Sequence, residues 1–452
     1  MLLFLGISKF FLYLVPFSVL IISRSTLFPF IVGKAVFLRF IVELSLFFFV
    51  LYLVWERPEL ERLKKKIIDT DYSFILRSKI FWAVTAFVAL FAIAGIFGVD
   101  PRISFWSNFE RGEGIFQVFH YYLFFLLLLF VFRKEDDWRR LFLFSIFAGI
   151  GVTLYGLLQL WGVEGVVSSG QGRIQGTLGN PAYVGAYLMF GMFYVAQLLL
   201  QEKRRFLQLS LFLVFGFFIV GFLFAQTRGS LLGLLAGLGL SFLYLVWKAP
   251  SKRFRHVSLG ILGFLIVVAG LIFALRHKPF IQNLPFARIF DIDLQGSGAQ
   301  SRFWTWKSAF KGFLDRPLLG WGPENFSRAF DKYFDVRHFI SPNASGQQLW
   351  FDRAHNNVLE YLVQTGILGL LAYLSIFIVV YWILFKKSLN ERYEEALRPL
   401  IKNALMIFMP TAYFVQSLVL FDVLPIFLNL FLFLAYAVHV LEGNKSVDIK
   451  KV

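Results

Sequence analysis

The chain has 452 residues, of which 58% are hydrophobic, 19% aromatic and only 16% charged. Apolar residues at that density, laid out in long runs, exclude an ordinary soluble domain and point to a membrane protein. The net charge of +17 does not mark a nucleic-acid binder, because the basic residues sit in short clusters between apolar runs, and the lack of cysteine removes disulfide and thiol chemistry.

The first apolar run, Leu2 to Ile22, contains Lys9 and is followed by no small-residue cleavage site, so it reads as a retained span and not a signal peptide. Roughly 20 apolar residues cross about 30 Å of hydrocarbon. About twelve such runs can be drawn, at 2–22, 36–54, 80–98, 115–132, 141–161, 182–200, 206–225, 229–247, 257–275, 358–385, 400–420 and 425–441. Backbone groups find no water in lipid, so each run must be helical. The expected fold is an all-α polytopic membrane protein. Nine spans fill 1–275, a large helical loop fills 276–357, three more spans fill 358–441, and 442–452 is a short tail.

Basic residues in the connections give an orientation. With the N-terminus cytoplasmic, the inside connections hold 25 lysines and arginines, including Lys64 to Lys66, Lys203-Arg204-Arg205, Lys450 and Lys451. The short outside connections hold only Arg24, Lys34, Arg102, Arg111, Arg173 and Arg228. The positive-inside rule then puts both termini in the cytoplasm and the 276–357 loop outside. Within the spans the conspicuous ionisable residues are Lys9, Arg39, Glu43, His120, Lys402 and His439. A transporter would gather more polar residues deep in its spans, so that reading is disfavoured.

Four outside features carry chemistry. At the third outside turn, Arg102 and Glu110-Arg111-Gly112-Glu113 offer a weak contact signal. Before the sixth span, Gly172-Arg173-Ile174-Gln175-Gly176-Thr177-Leu178-Gly179-Asn180-Pro181 joins glycines, an arginine and a proline suited to a helix start. Backbone N–H groups at such a start, with an arginine, make an anion site; the plain alternative is a flexible turn with a snorkelling arginine. Between the seventh and eighth spans, Ala225-Gln226-Thr227-Arg228-Gly229-Ser230 is so short that Arg228 must lie near the hydrocarbon edge, as an anchor or as the partner of an anion.

The outward loop holds the fourth. Phe303, Trp306, Phe310 and Phe313 share one helical face and Lys307 and Lys311 another, the pattern of a helix resting in the membrane interface. Gly320-Trp321-Gly322 breaks it, and Pro323 suits the start of a second helix carrying Phe326 and Phe330. The loop closes on Phe351-Asp352-Arg353-Ala354-His355-Asn356-Asn357. His355 stands at a span's N-terminus among polar neighbours. The helix terminus and Arg353 both disfavour an imidazolium there, leaving the neutral ring a general base needs. A structural helix cap is the alternative.

These motifs in this order, with Ser301-Arg302-Phe303-Trp304, Pro317-Leu318-Leu319-Gly320-Trp321-Gly322, His355-Asn356-Asn357 and Gln364-Thr365-Gly366-Ile367-Leu368-Gly369, resemble the O-antigen ligase and O-antigen polymerase superfamily. The resemblance spans most of the chain. It implies a metal-independent, cofactor-free, inverting glycosyltransferase of the GT-C type in the bacterial cytoplasmic membrane. The implied donor is a glycan on undecaprenyl pyrophosphate. The implied acceptor is a sugar hydroxyl of lipid A–core for a ligase, or another lipid-linked repeat unit for a polymerase. A protein O-oligosaccharyltransferase ranks third. The resemblance gives His355 the role of base on the acceptor and gives Arg173 and Arg228 the pyrophosphate. Asn180, Arg302, Arg353 and Asn356, in the same motifs, are the other expected substrate-binding residues.

Overall fold

The computed structural model describes residues 2–57, 72–108, 111–168, 172–290, 296–340, 350–390 and 397–443. Lys64 to Lys66, Glu110, Lys450 and Lys451 lie outside the described residues. The protein is 78% helical, with no strand among the described residues. Among the described residues, ten helices are long and apolar enough to cross a membrane. They include α1 (Leu3–Leu14, continued by a 3-10 turn to Leu20), α2 (Val32–Leu51) and α3 (Lys79–Ile96). After a short α4 (Pro101–Trp106) and the shorter apolar α5 (Ile115–Val131) come α6 (Glu135–Leu160), α7 (Pro181–Gln201), α8 (Arg205–Ala225), α9 (Arg228–Trp247) and α10 (Lys252–Leu275). The intervening segment forms α11 (Ser297–Asp315) and α12 (Phe326–Lys332), and α13 (Asn357–Asn390), α14 (Leu397–Ser417) and α15 (Leu424–Ala437) finish the bundle. A helix occupies each of the twelve apolar runs.

Several of these helices begin where the sequence supplies a cap. Ser78 Oγ accepts from Phe81 N at 3.0 Å, Asn180 Oδ1 from Ala182 N at 2.8 Å, and Ser251 Oγ from Phe254 N at 3.2 Å. Each satisfies a backbone donor that the first helical turn leaves without a partner. α7 and α15 run through the middle of the bundle and are buried nearly all round, whereas Ser258 is the one buried residue described on α10. α9 reaches α14 through a glycine stripe. A Cβ on Gly233 would sit 2.4 Å from the Ala412 carbonyl, and one on Gly237 2.8 Å from that of Phe408. Small residues four apart let two backbones close to this distance, which is how helices associate where lipid removes the hydrophobic drive.

The connections sort to two ends. At one, Lys9 pairs with Asp137 at 2.7 Å, Arg139 with Glu202 at 2.6 Å and Lys402 with Glu135 at 3.5 Å, while Glu442 accepts from Ser78 Oγ and Lys79 N. These are the connections read as inside. At the other, Arg24 donates to the Gly165 carbonyl, Arg111 pairs with Asp352, and Gln226 Nε2 donates to the Pro285 carbonyl at 2.9 Å. The ionisable residues within spans have partners too: Arg39 donates to Gln117, Glu43 meets His120 at 3.0 Å, and His439 lies 3.6 Å from Glu135.

The segment between α10 and α13 packs on the second end through a face of small residues. α11 docks through small residues, with Ser301, Thr305, Ser308 and Ala309 buried, and leaves Phe303 and Phe310 exposed. Ala309 has the lower volume that lets Trp321, Phe326 and Phe330 close over it in a satellite core. α12 starts at Phe326, three residues after Pro323. The Pro317–Gly322 stretch then inserts beside a break in α13 at Gly366, which has φ 63°. Trp321 N donates to the Val363 carbonyl at 2.9 Å, Gly322 N to that of Gln364 at 2.8 Å, and Ile367 N to that of Pro317 at 2.8 Å. The break frees those α13 groups, and the inserted stretch satisfies them again.

Candidate active site

The loop that ends at α13 presents His355 with φ 52°, in the left-handed region that histidine tolerates better than most side chains. Its Nδ1 lies 3.2 Å from the Arg353 carbonyl. A carbonyl only accepts, so Nδ1 carries the hydrogen and Nε2 keeps its lone pair. The ring stands edge-on to Phe421 at 4.9 Å and to Phe351 at 5.4 Å. Burial, and after it the nearby Arg302 guanidinium, push the imidazole from its usual 6.5 down to about 4. His355 is therefore neutral at physiological pH.

Arg302 opens a line of guanidinium groups. Burial and then Arg228 lower its pKa. Arg228 occupies the first turn of α9 and donates from Nε to the Arg288 carbonyl at 3.2 Å. Arg173, on the glycine-rich turn, is lowered to about 10 by burial, then by Arg288 and Arg228. Arg288 and Arg228 thus disfavour the charge of Arg173, and Arg228 that of Arg302, and an anion between them relieves the repulsion. The starts of α7 and α9 adjoin this line, since Thr227 Oγ1 donates to the Pro181 carbonyl at 3.1 Å. Helix N-termini favour negative charge.

The expected site residues thus separate. His355, Arg302, Arg228 and Arg173 form one electrostatic chain. Arg353 does not join it. Its guanidinium turns inward to Glu324 and, at 3.3 Å, to Glu360, and those two acids more than offset the cost of burying it, so its pKa is raised. The sequence reading had Arg353 disfavour the imidazolium; Arg302 does so instead, and the Arg353 carbonyl opposes it. Asn356 is the cap of α13, its Oδ1 accepting from Val358 N at 3.0 Å and Leu359 N at 3.2 Å. Asn180 caps α7.

Three residues absent from the sequence reading also hold this end together. Arg288 contributes the fourth guanidinium; other basic residues at Arg276 and Lys278 hid it in the sequence. Glu324 anchors Arg353 and accepts from Ser107 Oγ at 2.5 Å. Ser107, Glu324 and His355 are three of the four non-glycine residues with positive φ, which gathers the strained backbone at one place. Asp422 accepts from Asn357 Nδ2 and Tyr413 Oη, both at 2.6 Å, and burial raises it to about 6. Its neighbour Phe421 carries the ring that faces His355. As the one acid in the 418–423 turn, it was a readable signal.

No curated protein matches the chain. Residues 211–374, from α8 into the first half of α13, match the family model described as O-antigen ligase. That stretch contains Arg228, Arg302 and His355, and through it the chain is similar to the O-antigen ligase and polymerase superfamily.

Proposed function

We propose that the protein is an O-antigen ligase-type glycosyltransferase. It moves a glycan from undecaprenyl pyrophosphate to a sugar hydroxyl of lipid A–core on the outer face of the cytoplasmic membrane. The observation that carries this reading is the line Arg173–Arg288–Arg228–Arg302 ending at a neutral imidazole. His355 Nε2 takes the acceptor's hydroxyl proton, and the oxygen attacks the anomeric carbon as the bond from that carbon to the pyrophosphate oxygen breaks. Displacement from the opposite face inverts the configuration. The leaving group departs as a pyrophosphate anion, so it needs charge stabilisation and no proton, which forked guanidinium donors supply.

The test is glycan transfer and donor binding measured on the same purified protein. His355→Ala is expected to bind a lipid-pyrophosphate donor as the parent does and to transfer at least about 100-fold more slowly, the usual contribution of a general base. Arg228→Lys and Arg173→Lys are expected to lose most of the donor binding, since a point charge replaces a fork. Full transfer by His355→Ala with weakened folding would make His355 a structural residue and sink the assignment.

A further inference from the structure

Near Phe421 lies a cavity of about 160 Å³, lined by Lys34, Arg111, Glu113, Asn180, Tyr183 and Pro425 among others. Phe421 links the cavity to His355: its ring is 4.9 Å from that of His355, 6.0 Å from that of Tyr183, and the Arg111 guanidinium lies 5.1 Å over it. Lys34 is the residue without a structural explanation. It is only 2% exposed, and it sits in the first turn of α2, where the helix dipole disfavours a cation. Among the described residues its ammonium forms no ion pair. Its one hydrogen-bond partner is the Ile21 carbonyl, so two of its three donors remain. Apart from that carbonyl and the Phe30 ring, 5.8 Å from the ammonium, nothing else among the described residues meets that buried charge, and a buried charge without an acid costs stability.

The remaining lining residues do not neutralise it. Arg111 is matched by Asp352 in a two-point fork, at 2.7 and 3.1 Å. Glu113 accepts from Tyr121 Oη at 2.9 Å, and its burial raises the carboxyl to about 8, so at neutral pH it is mostly protonated. Asn180 uses its carbonyl as a helix cap, which leaves its amide hydrogens for the cavity. The cavity therefore offers the buried Lys34 amine, which no acid among the described residues meets and which an anion would hold in its charged form, several hydrogen-bond donors and an apolar wall from Tyr183 and Pro425. Its volume is well below the roughly 300–1,000 Å³ of a cleft that holds a whole drug-sized ligand.

We propose that this cavity is a subsite for a single sugar ring bearing a carboxylate or phosphate, whose negative charge is met by Lys34. The proposal deepens the glycosyl-transfer reading and rests on it for the ligand being a sugar. The ring belongs either to the acceptor or to the donor's glycan.

The experiment uses the purified full chain and binding of glucose 6-phosphate, glucuronate and glucose, read by saturation-transfer NMR, with the thermal midpoint of each variant. The parent is expected to bind the two acidic sugars and to bind glucose about 10-fold more weakly, as expected for loss of a charged hydrogen bond. Lys34→Met is expected to erase that preference while raising the thermal midpoint, because it removes a buried charge. Arg228→Lys is expected to keep it, so the subsite stands or falls separately from the donor site and from turnover. A lowered midpoint in Lys34→Met with the sugar preference intact, or no preference in the parent, overturns the proposal. Repeating the titration with N-acetylglucosaminyl-pyrophosphoryl-undecaprenol bound separates the sources: retained binding assigns the subsite to the acceptor, and exclusion assigns it to the donor's glycan.

Discussion

His355 meets two demands that pull apart. A base must be neutral to accept a proton, and it must also hold that proton well enough to take it. Burial and Arg302 secure the first and weaken the second, since a histidine near 4 is a feeble base. Under the proposed function donor binding would resolve the conflict: a pyrophosphate among the arginines would offset the charge of Arg302 and raise the proton affinity of the ring. The free enzyme's imidazole is lowered, so activity governed by it persists as pH falls and is lost only towards about 4. The acid limb of kcat/KM is therefore expected at lower pH than that of kcat, and Arg302→Gln is expected to move the kcat/KM limb upward. Coincident limbs near 6.5 in the parent would remove Arg302 from this role. His355 was legible in the sequence because a polar cluster at a span's start has no packing purpose. The inward turn of Arg353 was not, because it is drawn by Glu324 from the preceding part of the loop together with Glu360 in the first turn of α13.

At the scale of elements, the Pro317–Gly322 and Gln364–Gly369 motifs explain each other. They are two sides of one backbone junction, and glycine is required on both. A Cβ at Gly366 would lie 2.2 Å from the Leu318 carbonyl, and one at Gly320 2.4 Å from that of Val363, each at positive φ. Gly366→Ala is expected to cost about 2 kcal/mol or more, from steric overlap together with strain. Thermal unfolding in detergent reads it, with Gly298→Ala, which meets nothing within 4 Å, as the neutral control. The sequence signalled these glycines as motifs without revealing their pairing, which depends on a chain crossing. The docking face of α11 was hidden for a related reason. Periodicity identifies the apolar stripe, yet here the tighter fit is made by Ser301, Thr305 and Ala309, and Phe303 and Phe310 are left outward.

For the whole molecule, hydropathy located the helices because lipid permits so few alternatives. The alternation of connections between two ends follows from the pairs Lys9–Asp137 and Arg139–Glu202 on one side and Arg111–Asp352 on the other. Which end faces the cytoplasm rests on the basic bias alone. The absence of cysteine makes that directly testable. A cysteine at Gly298 is expected to react with a membrane-impermeant maleimide in intact spheroplasts, and one at Ser251 is not. The reverse pattern would invert the orientation and move the site to the cytoplasmic face.

The junction at the α13 break also sets the unit in which this protein can be recombined. The segment from α10 to α13 looks like a detachable module in sequence, bounded by spans on both sides. Its backbone is nevertheless stitched to carbonyls at Val363 and Gln364, inside the following helix. A chimera that grafts 276–357 from a relative severs that register and leaves open valences within the bundle. One that carries 276 through 369 keeps both halves of the stitch, and its yield of folded protein is expected to exceed that of the shorter graft.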